Sequence, residues 1–346
     1  MARGGAPMAG IAEVAAHAGV SKATASRALS GAGYVSEATK SRVRAAAAEL
    51  GYVPSAGAVG LATGRTQNIG VVMPYVNRWF FAEVLEGIQQ ALLERGLDLT
   101  LYDAKPGTEG RARIFDDFLA RKRFDGLIAV GLEPVDHELE RLTRIDRPIV
   151  SVVGSSELTS VVAVDDDYAA RRATEHLIAL GHRDIAFVGG APQSHWAHVD
   201  QERLSGYQNA MTEAGLASFI RHAHSEVTLP GGYAAAADLL SDTRRRPTAI
   251  VGVCDEVAIG AIIAARRLGI QVPAALSVAG IDDHEFAEMF SLTTLQQVPR
   301  EQGRAAVSVL LAEIAEPGRA RTELRIPARL VVRASTAGIV PAENGA

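Results

Sequence analysis

Residues 9–31, with the sequence AGIAEVAAHAGVSKATASRALSG, decide the fold of the first part of the chain. Apolar residues recur there at helical spacing, which predicts a short first helix with one apolar face. These residues are Ile11, Val14, Ala15 and Ala18. Gly19 then allows a left-handed turn, and Ser21 is placed to cap a second helix that opens at Lys22. Two short helices joined in this way form a helix-turn-helix, whose second helix can enter the major groove of DNA.

The second helix gathers side chains that donate hydrogen bonds to phosphates and base edges. They are Ser21, Lys22, Thr24, Ser26 and Arg27. An alternative is an alanine-rich helical hairpin that only packs on a neighbouring domain. The polar face argues against that alternative, so the sequence predicts a head that recognises a DNA sequence.

A third helix completes this head. Ser36 can cap it, and Val43, Ala47 and Leu50 give it a buried stripe. We therefore expect a disordered tail at residues 1–8 and a helix-turn-helix head at 9–54.

Residues 55–65, SAGAVGLATGR, form the predicted hinge. Ala58, Leu61 and Ala62 would share one helical face, but Gly57 and Gly60 each cost a helix about 1 kcal/mol relative to alanine. We expect this segment to be disordered alone and helical only when it is held.

Composition limits the class of protein. The 346 residues are too many for one ordinary domain, and 48% of them are hydrophobic, which is enough to fill sizeable cores. No apolar run reaches the roughly 18 residues of a membrane span, and the amino terminus lacks the apolar segment of a secretory signal. Cys254 is the only cysteine, so an internal disulfide is excluded. We expect a cytoplasmic protein with no membrane contact.

The net charge of −5 is unevenly distributed along the chain. Residues 1–65 hold seven Lys or Arg and three acids, whereas the remaining 281 residues hold 28 basic and 37 acidic groups. A basic head on an acidic body favours binding of a polyanion by the head alone.

Short apolar strands alternate with amphipathic helices from Ile69 onward. One group lies at 69–74, 98–103, 125–130 and 148–153, and a second group at 184–189, 249–253 and 277–281. Continuous apolar strands separated by helices indicate parallel sheets covered on both faces. The sequence therefore predicts an α/β core of two lobes, with a ligand cleft at the carboxyl ends of the strands.

An ordered set of motifs resembles the LacI-type bacterial transcriptional regulators from about residue 9 to 335. The motifs are the head, GYVP, LATGR, FFAEVLEGI, DGLIAV, ATEHLIALGHRDIAFVGG, ERLSGY, CDEVAIGA, VPAALSVAGIDD and LTTLQQ. The resemblance implies a homodimer whose core, residues 66–340, is like periplasmic sugar-binding proteins with three crossovers between lobes. The amino-terminal lobe (N-lobe) would comprise 66–164 and 297–325, and the carboxy-terminal lobe (C-lobe) 165–296 and 326–340.

The resemblance also assigns roles in DNA binding. Lys22 and Ala23 occupy the positions that discriminate bases, and Arg27 fits bidentate recognition of guanine. Ser21, Thr24 and Ser26 suit phosphates, as do Lys40 and Arg42 unless they only form a solvated helix face.

Leu61 occupies the place where the family wedges a leucine into the minor groove. Ser55 stands where the family often has asparagine, so this hinge should depend strongly on DNA to become helical.

For the effector, the resemblance implies a small polar metabolite, usually a sugar. Arg203, Asp255 and Asp282 occupy its ligand-binding positions, with Phe80 and Gln297 contributing from the N-lobe and the crossover. The alternative is that Asp255 and Asp282 only cap helices and that Arg203 pairs internally.

Two further features concern the cleft. The acidic run 165–167 favours a helix start near Tyr168 over a metal cluster, and Asp165 is also placed to touch ligand. Trp79 and Trp196 fall in loops after strands, where either could stack on a sugar ring, or both could simply pack their loops. Val227 stands where several sugar-responsive members carry an aromatic residue.

The sequence argues against two other classes of protein. A transported-solute-binding protein would share the two lobes but would lack the helix-turn-helix. An enzyme is disfavoured because His195, His198 and Asp200 have no nucleophile elbow, phosphate loop or HExxH motif beside them. We expect no catalytic residue, cofactor or metal.

We therefore predict a repressor that binds a pseudo-palindromic DNA operator as a homodimer and is released by a sugar-like effector. A corepressed or activating regulator of the same fold is the alternative, because the sign of the response is not encoded in recognisable residues.

Overall fold

The computed structural model describes residues 9–31, 33–52, 65–154, 158–190 and 197–339. The head consists of α1 (Ile11–His17), α2 (Lys22–Ser30) and α3 (Glu37–Glu49). Gly19 adopts the left-handed conformation with φ of 64°, as the sequence predicts. The Ser21 hydroxyl accepts a hydrogen bond from the Thr24 amide at 3.1 Å and so caps α2. Local turn and capping chemistry thus fixes the helix-turn-helix.

Small side chains let the three head helices pack closely. Val14, Ala25, Ala28 and Val43 are each no more than 1% exposed. His17 of α1 lies 2.7 Å from the Glu49 carboxylate of α3, which links the first and last helices.

The rest of the chain builds two six-stranded sheets. The first sheet contains β1 (Asn68–Met73), β2 (Asp98–Asp103), β3 (Gly126–Val130), β4 (Ile149–Val152), β5 (Ser160–Ala163) and β11 (Glu323–Arg325). The second contains β6 (Ile185–Val188), β7 (Arg221–Ala223), β8 (Ala249–Gly252), β9 (Ser277–Asp282), β10 (Thr293–Gln296) and β12 (Arg329–Val331). The first sheet has the strand order β11-β5-β4-β3-β1-β2, and the second has the order β12-β10-β9-β8-β6-β7.

Helices lie between these strands along the chain. They are α4 (Trp79–Leu93), α5 (Glu109–Arg113), α6 (Asp136–Thr143), α7 (Asp166–Ala179), α8 (His198–Glu213), α9 (Leu229–Ser241), α10 (Asp255–Arg267) and α11 (Pro299–Ala315). A π-helical turn, Ile114–Phe118, and two 3₁₀ turns, Leu119–Arg121 and Ala217–Phe219, complete the set in the described residues.

The chain passes three times from one sheet to the other, after β5, after β10 and after β11. Neighbouring strands are parallel throughout the first sheet, and in the second only β12 is antiparallel to its neighbour. The α/β class with two parallel sheets is therefore confirmed. The three crossings bring the carboxyl ends of both sheets toward one junction.

Close helix packing positions the C-lobe side of this junction. A Cβ atom on Gly206 would lie 2.1 Å from the Asp167 carbonyl oxygen, so only glycine allows α8 to approach α7 this closely. The contact holds α8, with Arg203 on it, against the start of α7.

The predicted tail and most of the hinge, including Leu61, lie outside the described residues, as does Trp196. The predicted domain boundaries stay predictions. Among the residues that are described, no helix is long and apolar enough to cross a membrane.

Candidate functional site

The outward face of α2 presents the residues predicted to contact bases. Lys22, Ala23 and Arg27 are exposed, whereas Ala25 and Ala28 are buried against the other head helices. Thr24 and Ser26 are half-buried at the edge of this face. The helix therefore offers two cations and one methyl group to a groove, while its small residues hold it in the head.

Two of the predicted phosphate-binding residues already have partners in the head. The Ser21 hydroxyl lies 2.9 Å from the Thr24 hydroxyl besides capping α2. Lys40 donates to Glu37 at 2.6 Å across one turn of α3. Tyr34 is 96% exposed in the loop after α2. The sequence of that loop carries no pattern that would have predicted this exposure.

The two lobes meet through an aromatic pair. The Trp79 and His284 ring centroids are 4.9 Å apart. Trp79 is the first residue of α4 in the N-lobe, and His284 follows β9 in the C-lobe. The expectation that Trp79 lies in a loop is therefore wrong: the helix starts there, because the backbone of Arg78 takes the extended conformation of an N-cap residue.

A second pair of contacts joins the lobes nearby. The backbone amide of His198 donates to the Glu133 carboxylate at 3.0 Å, and Val199 packs against the apolar core of the N-lobe. The start of α8 is thus held at the junction.

Arg203 forms the centre of a buried charged cluster, the Arg203 cluster, with Asp166 and Asp282. Its Nε donates to the Asp166 Oδ1 atom at 2.8 Å, and one terminal nitrogen donates to the Val253 carbonyl at 2.7 Å. The same nitrogen lies 3.7 Å from the Asp282 carboxylate. Burial disfavours the charge, but the two carboxylates outweigh it and raise the pKa of Arg203. Arg203 does pair internally, as one alternative foresaw.

Asp282 ends β9 with a backbone φ of 137°, a conformation that L-residues rarely adopt. Its carboxylate accepts a hydrogen bond from the Gln297 amide, and Gln297 in turn accepts one from Gln302 at 2.9 Å. Burial raises the pKa of Asp282 to about 6, although the Arg203 charge opposes the shift. The structure therefore brings together three residues that were predicted for one site: Arg203, Asp282 and Gln297.

Asp255 follows β8, as expected, and is engaged by groups of the C-lobe itself. It is fully buried, and its two oxygens accept from the Thr294 hydroxyl at 2.6 Å and from the His284 amide at 2.9 Å. Burial, with the nearby charge of Asp282, raises the pKa of Asp255 to about 8. The carboxyl fastens α10 to β10 and to the loop after β9, so its contact with effector stays a prediction.

Asp165 and Phe80 also have internal roles. The Asp165 carboxylate is exposed and caps α7 by accepting from the Tyr168 amide at 2.9 Å. The helix begins at Asp166, two residues before the expected start at Tyr168. Phe80 packs edge-to-face on Phe81 and against the N-lobe core. Effector contacts by both remain predictions.

Three residues of this region were not chosen as effector ligands from the sequence: Asp166, Asp200 and Arg78. Asp200 lies three residues before Arg203 on α8, a spacing that places both on one helix face and was an available signal. Arg78 rests with its guanidinium carbon 3.9 Å from the Tyr75 ring centre. In the described parts of the chain, no group of His, Cys, Asp and Glu is arranged to hold a metal.

An exposed helix-turn-helix beside two parallel-sheet lobes with a charged junction defines a DNA-binding regulator with a periplasmic-binding-protein-like core. Two family models match in agreement with this: "Bacterial regulatory proteins, lacI family" over residues 10–55 and "Periplasmic binding protein-like domain" over residues 174–336. The chain is 32% identical over 337 residues to the HTH-type transcriptional repressor PurR of Vibrio campbellii (strain ATCC BAA-1116). That alignment covers 94% of this chain and 98% of the repressor. The chain belongs to the lacI family.

Solved structures agree with this membership. The lac repressor dimer bound to operator and the anti-inducer ONPF superimposes with a TM-score of 0.82 at 27% identity, covering 95% of this chain and 99% of that one. The complex of the transcriptional regulator CelR with cellobiose gives a TM-score of 0.69 at 30% identity, covering 94% and 99%.

Proposed function

We propose that this transcriptional regulator represses genes by binding a pseudo-palindromic operator as a homodimer. A small sugar-like effector held between the lobes would release it. The lac repressor structure, described as a dimer bound to operator, and the CelR complex with cellobiose support both parts of the proposal. The observation that carries it is the Arg203 cluster, where charged side chains meet at the junction of two lobes attached to a DNA-binding head.

The chemistry of the junction suits a ligand with several hydroxyl groups. Arg203 and the carboxylates of Asp166 and Asp282 supply both donors and acceptors, and such charged groups form stronger hydrogen bonds than neutral ones. Trp79 adds an aromatic face that can cover the C–H surface of a sugar ring. Gln297 would complete the site from the crossover.

In the head, Lys22, Ala23 and Arg27 would face the major groove. Arg27 would bind guanine through two hydrogen bonds, and Ala23 would contact a thymine methyl group. Ser21, Thr24 and Ser26 would bind phosphates and set the register. The minor-groove wedge assigned to Leu61 belongs to the same proposal, although that residue lies outside the described part of the chain.

Linkage connects the two sites. An effector that contacts both lobes favours one arrangement of them, and a change at the junction moves the N-lobes to which the heads are attached. If the effector weakens operator binding by a certain factor, the operator must weaken effector binding by the same factor. Corepression or activation is the second candidate, and it reverses only the sign of this coupling.

Two narrower features complete the proposal. The protein would act by binding alone, since its relatives are transcriptional regulators, and it would work in the cytoplasm, where bacterial DNA is found.

A panel of mono- and disaccharides, including ribose and cellobiose, tests the effector site by thermal shift of the full chain. We expect at least one sugar to raise the melting temperature of the wild type and not that of Arg203→Met. Arg221→Met, which removes a half-exposed arginine paired with Asp184, is the matched control and should keep the response. A panel without any stabilising sugar contradicts the effector assignment.

A further inference from the structure

Asp200, at the junction of the lobes, is a largely buried carboxylate that has no partner in the described part of the chain. It lies in the first turn of α8 and is only 9% exposed. Within the described residues, no hydrogen bond or ion pair reaches its carboxylate oxygens. Each of the three members of the Arg203 cluster has such a partner, so Asp200 differs from these neighbours.

Charged groups of both lobes influence Asp200 electrostatically. Arg203 and Asp166 act on it from the C-lobe, and Arg78 and Glu133 act on it from the N-lobe. Among the described contacts, neither of these two cations pairs with it. Arg203 is engaged by Asp166, Val253 and Asp282, and Arg78 rests on Tyr75. Asp200 directly follows His198 and Val199, which contact the N-lobe, so its unpaired carboxylate lies at the junction where a ligand between the lobes would bind.

Leaving this carboxylate unpaired is energetically unfavourable. Burial raises the pKa of Asp200 to about 6, because removal from water destabilises the ionised form. At neutral pH most of the carboxyl is nevertheless ionised. A buried charge is tolerated when a partner of opposite charge arrives with good geometry, so a cationic ligand group would be stabilised here.

The charge balance of the junction separates three kinds of ligand. Two cations, Arg203 and Arg78, meet four carboxylates here, which are Asp166, Asp200, Asp282 and Glu133, so negative charge is in excess. A phosphorylated sugar would meet like charge, and a neutral sugar would offer hydroxyl hydrogen bonds but no charge. An ammonium group supplies both the charge and three N–H donors.

Building on the proposed function, we propose that the effector carries a protonated amine and that the Asp200 carboxylate binds it, as in an amino sugar. Arg203 and Asp282 then hold the hydroxyl groups of the same ligand. Asp200 is thus the residue that selects an aminated ligand over its hydroxyl counterpart.

The experiment is a calorimetric titration of the full chain with matched ligands. Glucosamine, galactosamine and mannosamine are each compared with the parent hexose and with the N-acetyl derivative, which keeps the nitrogen and loses the charge. A charge-assisted hydrogen bond contributes enough that we expect the best amine to bind about 10- to 100-fold more tightly than both counterparts. Asp200→Asn should remove this preference, whereas Glu213→Gln at the exposed end of α8 should retain it.

The outcomes separate the two proposals. If a parent hexose binds and no amine binds more tightly, the amine assignment is overturned and the sugar-responsive regulator stands. If the amine preference survives in Asp200→Asn, Asp200 is not the residue that binds it. If no sugar of any kind binds, both the amine assignment and the sugar effector are contradicted. Urea unfolding of Asp200→Asn verifies that the variant folds.

Discussion

The guanidinium of Arg203 on α8 and the carboxylate of Asp166 at the start of α7 form a hydrogen-bonded ion pair of 2.8 Å in which both residues are at least 94% buried. Asp166 is the third residue after β5, so the pair lies where the chain first crosses between lobes. One interaction therefore joins the crossover to the predicted effector site.

Removing one member of this pair should destabilise the protein strongly. Arg203→Met leaves Asp166 and Asp282 buried beside each other without a cation, which we expect to lower the free energy of unfolding by about 3 to 5 kcal/mol. Urea unfolding followed by circular dichroism measures this change. The half-exposed pair of Arg221 and Asp184 is the control, and Arg221→Met should cost less than about 1 kcal/mol. Equal costs for the two variants would show that the Arg203 cluster has no special energetic role.

Asp200 should make stability depend on pH in a defined direction. Its folded pKa, about 6, lies above the ordinary value of 3.8, so the folded protein binds this proton more tightly than the unfolded chain does. The contribution of Asp200 to the free energy of unfolding is therefore complete below the pKa of the unfolded state, and it is lost as the pH rises through the pKa of the folded state. Asp200→Asn removes that loss. The free energy of unfolding of this variant, relative to that of the wild type, should therefore rise by about 1 kcal/mol between pH 5 and pH 8. Unfolding curves at the two pH values test this, and a constant or shrinking gap would contradict it.

The contact between Trp79 and His284 should be visible in fluorescence. The chain has two tryptophans, so Trp196→Phe leaves Trp79 as the only tryptophan that fluoresces. In that background, His284→Ala opens one face of the Trp79 ring to water, and we expect its emission to shift to longer wavelength. His17→Ala in the head is the matched control and should leave the spectrum unchanged. An unshifted spectrum in His284→Ala would mean that the two rings are not in contact in solution.

The caps of α2 and α3 allow a test of the head. Ser21→Ala and Ser36→Ala each remove a side chain that accepts from a backbone amide in the first turn. Each change should lower the local unfolding free energy of its helix by about 1 kcal/mol, measured by hydrogen exchange of the helix amides. If Ser21 also binds phosphate, Ser21→Ala weakens DNA binding more than Ser36→Ala does. Identical DNA affinities would leave Ser21 with the capping role alone.

Arg27 should determine sequence preference more than overall affinity. Arg27→Ala removes a predicted bidentate contact with guanine, and we expect it to cost about 1 to 3 kcal/mol on a specific duplex and much less on scrambled DNA. Arg44→Ala, on the exposed surface of α3, is the control. Competition binding at one fixed salt concentration distinguishes the two. Equal losses of Arg27→Ala on both duplexes would assign Arg27 to the phosphates.

The head could be predicted from sequence because its determinants are local. Gly19 and Ser21 set the turn and cap within four residues of each other, and the structure places them as the pattern indicates. Three of the four edge strands were missed, since Arg221–Ala223 and the two short strands near the carboxyl terminus are too brief or too polar to show periodicity. The interior strands β5 and β10, each only four residues long, were missed as well.

The junction was only partly predictable, because it depends on how separate elements meet. In the acidic run at the start of α7, a shift of one residue decides that Asp166 pairs with Arg203 and that Asp165 is exposed. Asp255 follows its strand as expected, yet the approach of β10 and the loop after β9 closes it into the lobe. The isolation of Asp200 depends on Arg203 being engaged elsewhere, which no local pattern reveals.

The central claim is that this protein prefers one DNA sequence and that the preference comes from a symmetric pair of heads. Selection of binding sites from a randomised duplex library with the full chain, followed by competition of the selected duplex against its scrambled version, measures this most directly. We predict that the selected sites are inverted repeats and that the intact duplex binds at least about 1000-fold more tightly than the scrambled one at physiological salt. Equal binding of the two duplexes, with and without the sugars and amino sugars named above, would contradict the account.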